Sequence, residues 1–126
     1  MNGIKFLLDT NIIIGLVKGN QTVRELLRDQ RATPQTSAYS FITRIELLSY
    51  PAIESQEIQS IETILEAMQH LPMTTAIEDM TIEVRRQNGL KIPDAIIAAT
   101  SKIYKLPLIT LDKDLANRMT TMPGDV

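Results

Sequence analysis

Runs of four or five mainly apolar residues, too short for helices of their own, recur along the chain at wide intervals. Stretches with helical spacing fill the gaps. Ile4 to Leu8, Thr36 to Tyr39, His70 to Thr74 and Leu106 to Thr110 read as strands, and the tail MPGDV fits a further edge strand. Between them, helices are expected over Thr10 to Lys18, Gln21 to Arg31, from Ser40 or Thr43 to just before Pro51, and over Glu54 to Gln69. Further helices are expected over Ala76 to Asn88, Pro93 to Tyr104 and Asp112 to Met119. A helix after each strand gives the chain the crossover that parallel pairing needs. The expected class is therefore α/β, with a central, mainly parallel sheet of four to five short strands flanked by helices. At 126 residues, the chain suits one domain over positions 1–126.

Composition then removes whole classes of chemistry. The chain has no cysteine and a single histidine, His70, so disulfides and thiolate metal sites are excluded. A bound metal would be held by oxygen, which points to a hard ion such as Mg²⁺ or Mn²⁺. With no second histidine or cysteine beside it, His70 reads as a strand-edge residue rather than a ligand. No apolar run approaches a membrane span, and the start lacks a basic, then apolar, leader, so a cytoplasmic location is expected, with no membrane partner. The net charge of −2 runs against a nucleic-acid footprint in total, although charge can be distributed unevenly.

Four acids stand at element junctions: Asp9 in FLLDTN, Glu46 in SFITRIELL, Asp94 in KIPDAIIAA and Asp112 in PLITLDKD. Each has a plain structural reading. Asp9 and Asp112 suit helix N-caps, Thr43 and Glu46 have the spacing of a capping box, and Asp94 suits a helix first turn. Together they suggest more, because a parallel sheet gathers functional side chains beyond its strand carboxyl ends. Two carboxylates 4 Å apart repel by about 4 kcal/mol at an effective dielectric of 20. Divalent ions turn that repulsion into a binding site suited to phosphoryl displacement.

LLDTNIII, SFITRIELL, GLKIPDAIIAAT and LPLITLDKDL, spread over residues 4 to 115, resemble the motifs of PIN-domain nucleases, in particular VapC-type toxins of toxin–antitoxin pairs. DTN alone is a weak signal; the four pieces in order are a strong one. The resemblance implies a PIN-like three-layer fold and a metal-dependent ribonuclease. Asp9, Glu46, Asp94 and Asp112 would form its acidic quartet binding Mg²⁺ or Mn²⁺, with Glu46 acting directly or through water. A water activated by the ion would cut RNA, leaving a 5′-phosphate and a 3′-hydroxyl. Asn11, Thr43 and Thr110 match polar positions that orient the carboxylates. The fourth acid is either Asp112 or Asp114; Asp112 is preferred because it follows Thr110-Leu111 directly. The family also implies a small antitoxin partner and a homodimer. Leu115, where an aromatic is common, and Tyr50-Pro51, where a small residue often follows the helix, depart from the pattern without touching the quartet.

Arg85, Arg86 and Lys91 flank the loop leading to Asp94 and are candidates for contacting RNA. Arg24, Arg28 and Arg31 share a helix face, either as contacts to phosphates or acidic groups or as a solvated surface. Two other functions compete with the nuclease: a catalytically silent PIN-fold interaction module, and a phosphoacceptor receiver domain. The latter would normally carry an acidic pair after the first strand, where this chain has Asp9-Thr10-Asn11.

Overall fold

Side chains on a strand alternate between faces, and in this chain both faces are apolar. A computed structural model describes residues 3–120. Its four strands are β1 (Phe6–Leu8), β2 (Ser37–Ser40), β3 (Gln69–Leu71) and β4 (Leu108–Ile109), all parallel in the order β3-β2-β1-β4. Seven α-helices connect or follow them: α1 (Thr10–Val17), α2 (Gln21–Gln30), α3 (Phe41–Leu48), α4 (Ser55–Glu66), α5 (Thr75–Asn88), α6 (Ile92–Tyr104) and α7 (Lys113–Met119). Leu8, Tyr39 and Ile109 face one way, into Ile12 and Ile13 of α1, Leu27 of α2, Leu47 of α3 and Leu65 of α4. Leu7, Ala38 and Leu71 face the other way, into Ile97 of α6. Val84, Ala98 and Leu115 then join α5 and α7 to α6. The result is the expected three-layer α/β arrangement with a wholly parallel sheet.

The strand order creates one special position. From β1 the chain passes through α1 and α2 to β2 on one side, whereas β4, reached through α5 and α6, pairs on the other. The carboxyl end of β1 is therefore a topological switch point, where parallel sheets open a crevice. Asp9 is the next residue.

Several boundaries differ from expectation. Strands β1, β3 and β4 are shorter, β2 is shifted one residue onwards, and a 3₁₀ turn, Pro34–Thr36, occupies the approach to β2. The helix expected to reach Gln69 stops at Glu66, because Gln69, His70 and Leu71 pair with Ala38, Tyr39 and Ser40. Ser40 caps α3 by accepting the Ile42 N–H, so Thr43 is interior and the capping box with Glu46 is not formed. Gly89 at φ 63° ends α5, as Asn88-Gly89 suggested. The possible edge strand in MPGDV lies outside the described residues. Among the described residues no helix is long and apolar enough to cross a membrane.

The layer above Leu8 closes because α1 and α2 approach each other at Gly15, where a Cβ would collide with Cγ2 of Val23. Gly15→Ala would gain about 1 kcal/mol in helix propensity, against roughly 1–3 kcal/mol for overpacking. Urea denaturation should show a net loss of stability, partly recovered when Val23→Ala removes the opposing methyl groups. A Gly15→Ala protein as stable as the parent would show that the helices part freely.

Candidate active site

Asp9 is fixed before any ligand is considered. Its N–H donates to the Ile109 carbonyl at 3.0 Å, which ties the end of β1 to β4. As the N-cap of α1, it accepts the Thr10 N–H at Oδ1 (2.8 Å). Its Oδ2 accepts the Thr110 hydroxyl at 2.7 Å. The residue is only 5% exposed, yet both oxygens are hydrogen-bonded, which a buried carboxylate requires. Each oxygen retains further acceptor capacity.

Thr110 and Asn11 staple the turn after β4 to the turn after β1. Having donated to Asp9, the Thr110 hydroxyl accepts the Asp112 N–H at 3.0 Å and faces Asn11 Nδ2 at 3.4 Å. Asn11 Oδ1 in turn accepts the Leu111 N–H at 3.2 Å. Asp112 then caps α7, with Oδ1 accepting the Leu115 N–H at 3.1 Å. Asp114 points elsewhere: its side chain is 73% exposed and pairs with Arg118 at 3.1 Å.

Asp94 enters from the opposite layer, in the first turn of α6. Burial, then the carboxylates of Asp9 and Asp112, push its carboxyl above the ordinary aspartate range, while Lys91 works against them. Three acids from three chain segments thus share one field. They do not form a ready chelate: among the described residues, no group of three or more such side chains is placed to hold one ion. The two observations are compatible, since charges couple over roughly 8–10 Å, whereas ligand oxygens must lie about 2.0–2.6 Å from an ion. In charge and donor type the cluster fits a hard divalent cation.

Glu46 comes from α3 and is exposed. Its Oε1 accepts the Thr10 hydroxyl at 2.7 Å, and the same hydroxyl lies 2.9 Å from that of Thr43. Thr10 is the contact residue that sequence reasoning passed over. Its place in DTN was the available signal, but at a helix start a threonine reads as local capping.

The basic candidates separate. Lys91 precedes α6 and acts on Asp94. Arg85 and Arg86 are exposed in the last turn of α5, and Arg86 lines a shallow depression with Asp79, Ile82 and Glu83. His70 stands in β3 with its ring centroid 5.3 Å from that of Tyr39.

The PIN domain family model matches residues 6–119. Among solved structures, a chain of a toxin–antitoxin complex from Klebsiella pneumoniae is 32% identical, with a TM-score of 0.77 over 97% of this chain and 96% of that one. A chain of the DNA-bound VapBC of Salmonella typhimurium is 21% identical, with a TM-score of 0.76 over 96% and 94%. A chain of the promoter-bound VapBC2 of Rickettsia felis is 20% identical, with a TM-score of 0.72 over 98% and 96%. Comparison with curated proteins gives no match. The family match begins in β1, ends in α7 and takes in Asp9, Glu46, Asp94 and Asp112: the chain belongs to the PIN-domain family.

Proposed function

We propose that this chain is a divalent-metal-dependent endoribonuclease acting as the toxin of a toxin–antitoxin pair. The observation that carries the reading is the shared field of Asp9, Asp94 and Asp112 at the switch point of the sheet. Asp9, Asp94 and Asp112 would hold Mg²⁺ or Mn²⁺, with Glu46 directly or through water. Such an ion supplies charge neutralisation at the scissile phosphate and a lowered pKa for water. Thr110 and Asn11 keep the first and fourth acids in register. Lys91 is the cation best placed to draw a phosphate towards them.

The likeness to a chain from the Klebsiella toxin–antitoxin complex supports an antitoxin partner for this chain too. RNA as substrate and a homodimeric assembly follow from the resemblance to VapC-type toxins. Purified protein should cut single-stranded RNA with Mg²⁺ or Mn²⁺ and stop when the ion is chelated. Asp9→Asn should slow cleavage roughly 100-fold or more. Cleavage that persists in chelator and in Asp9→Asn would remove the enzymatic assignment. Expression in bacterial cells should arrest growth; a nuclease active in vitro that leaves growth unaffected would remove the toxin role alone.

The electrostatics give a separate test. Asp94 holds its proton more tightly when folded, so its ionisation opposes folding. That increment of stability is present below the unfolded aspartate pKa of about 3.9 and is lost as pH rises through the higher folded value. Asp94→Asn should therefore raise the thermal midpoint of metal-free protein at pH 7, with the gain fading below pH 4. Added Mg²⁺ should stabilise the parent and leave the variant little changed. A variant destabilised at pH 7 would contradict the shared field.

A further inference from the structure

We propose that Thr10 is the positioning residue for Glu46, acting through a directed chain of hydroxyls that begins at buried Thr43; the proposal rests on the nuclease reading above. The direction follows from counting protons. A threonine has one O–H, and Thr10 gives its own to Glu46 Oε1 at 2.7 Å. At the 2.9 Å contact between the two hydroxyls, Thr43 must then be the donor. The order is Thr43 to Thr10 to Glu46.

Thr43 is unusual in spending its proton this way. Thr81 and Thr100, the other buried helical threonines among the described residues, each donate at 2.7 Å to the carbonyl four residues back, Ile77 and Ile96. Thr43, wholly buried near the start of α3, sends its proton across to α1 instead. Because Thr43 is enclosed, it fixes where the Thr10 oxygen sits, and that oxygen fixes one rotamer of an otherwise exposed glutamate. Thr10 also serves Asp9, but through its backbone N–H at 2.8 Å. A side-chain substitution at position 10 therefore spares the Asp9 contact and removes the one to Glu46.

The test is Mn²⁺ titration by calorimetry of the full chain, with thermal midpoints measured alongside. Thr10→Val should weaken Mn²⁺ binding roughly 10-fold, as loss of an outer partner of a ligating carboxylate does. Thr10→Ser, which keeps the hydroxyl, should stay within about threefold of the parent. Glu46→Gln should weaken binding by a similar factor, and the double variant Thr10→Val/Glu46→Gln no further than Glu46→Gln alone. In RNA cleavage, the Thr10→Val loss should fall on kcat and recede as Mn²⁺ is raised, which a general folding defect would not show. If the valine variant fails to fold, Thr10→Ala removes the same hydroxyl without the branched side chain. Parent-like Mn²⁺ affinity in Thr10→Val, or losses that add in the double variant, would overturn the positioning role while leaving the nuclease reading intact. A parent chain that binds no Mn²⁺ would end both.

Discussion

The Asp9 carboxylate is the fixed point from which the rest of the site is measured. It is held by a sheet hydrogen bond through its own N–H, by the first N–H of α1 and by the hydroxyl of Thr110. None of these donors is a mobile charged side chain. That matters because the group is almost wholly enclosed, and a buried polar group is costly unless it is hydrogen-bonded. Neutral, directional donors satisfy it without a salt bridge. The field felt by Asp94 is the consequence.

Three like charges gathered at one place need compensation, and helix ends provide it alongside Lys91. Asp9 caps α1, Asp112 caps α7 and Asp94 lies in the first turn of α6. Three helix N-termini, each with partial positive charge worth about 0.3–1 kcal/mol to a nearby anion, meet where the acids meet. Capping and site formation are therefore not rival explanations of these residues. At α1 and α7 the hydrogen bond that starts the helix also fixes where the carboxylate stands in the cluster. The apolar run after Asp94, Ala95 to Ala99, is buried and drives α6 against the sheet at a depth that brings its first turn to the cluster.

This is why the acids were legible in the sequence while other features were not. Strand ends and helix starts are local signals, and the parallel-sheet rule turns four local signals into one expected place. Glu54 to Gln69 misled at its end, because Met68 continues the helical stripe and is indeed buried. The pairing of Gln69 to Leu71 with β2 is a tertiary fact that overrides it. Likewise, Thr43 and Glu46 have the spacing of a capping box, but Ser40 reaches the helix start first. That displacement frees both residues for the contact with Thr10, thirty-three and thirty-six positions away in sequence. No local pattern reports such a contact. Asp112 was preferred over Asp114 from its place after Thr110-Leu111, and the two differ in direction: one caps, the other turns outward to Arg118.

The four acids thus stand on two kinds of support. Asp9 and Asp112 are fastened to backbone at turns that Thr110 and Asn11 lock together, and Asp94 rides on a helix start driven in by apolar burial. Their positions are set by the core, so they can move little without unfolding the carboxyl edge of the sheet. Glu46 has a longer side chain, an exposed setting and a tether through the Thr10 hydroxyl. A glutamate has several rotamers to lose on ordering, and the Thr10 hydroxyl selects one of them. The cluster therefore combines three acids placed by backbone and core packing with a fourth placed by side-chain hydroxyls. The first three stand inside motifs readable from the sequence, while the fourth is tethered through two threonines that look like helix caps.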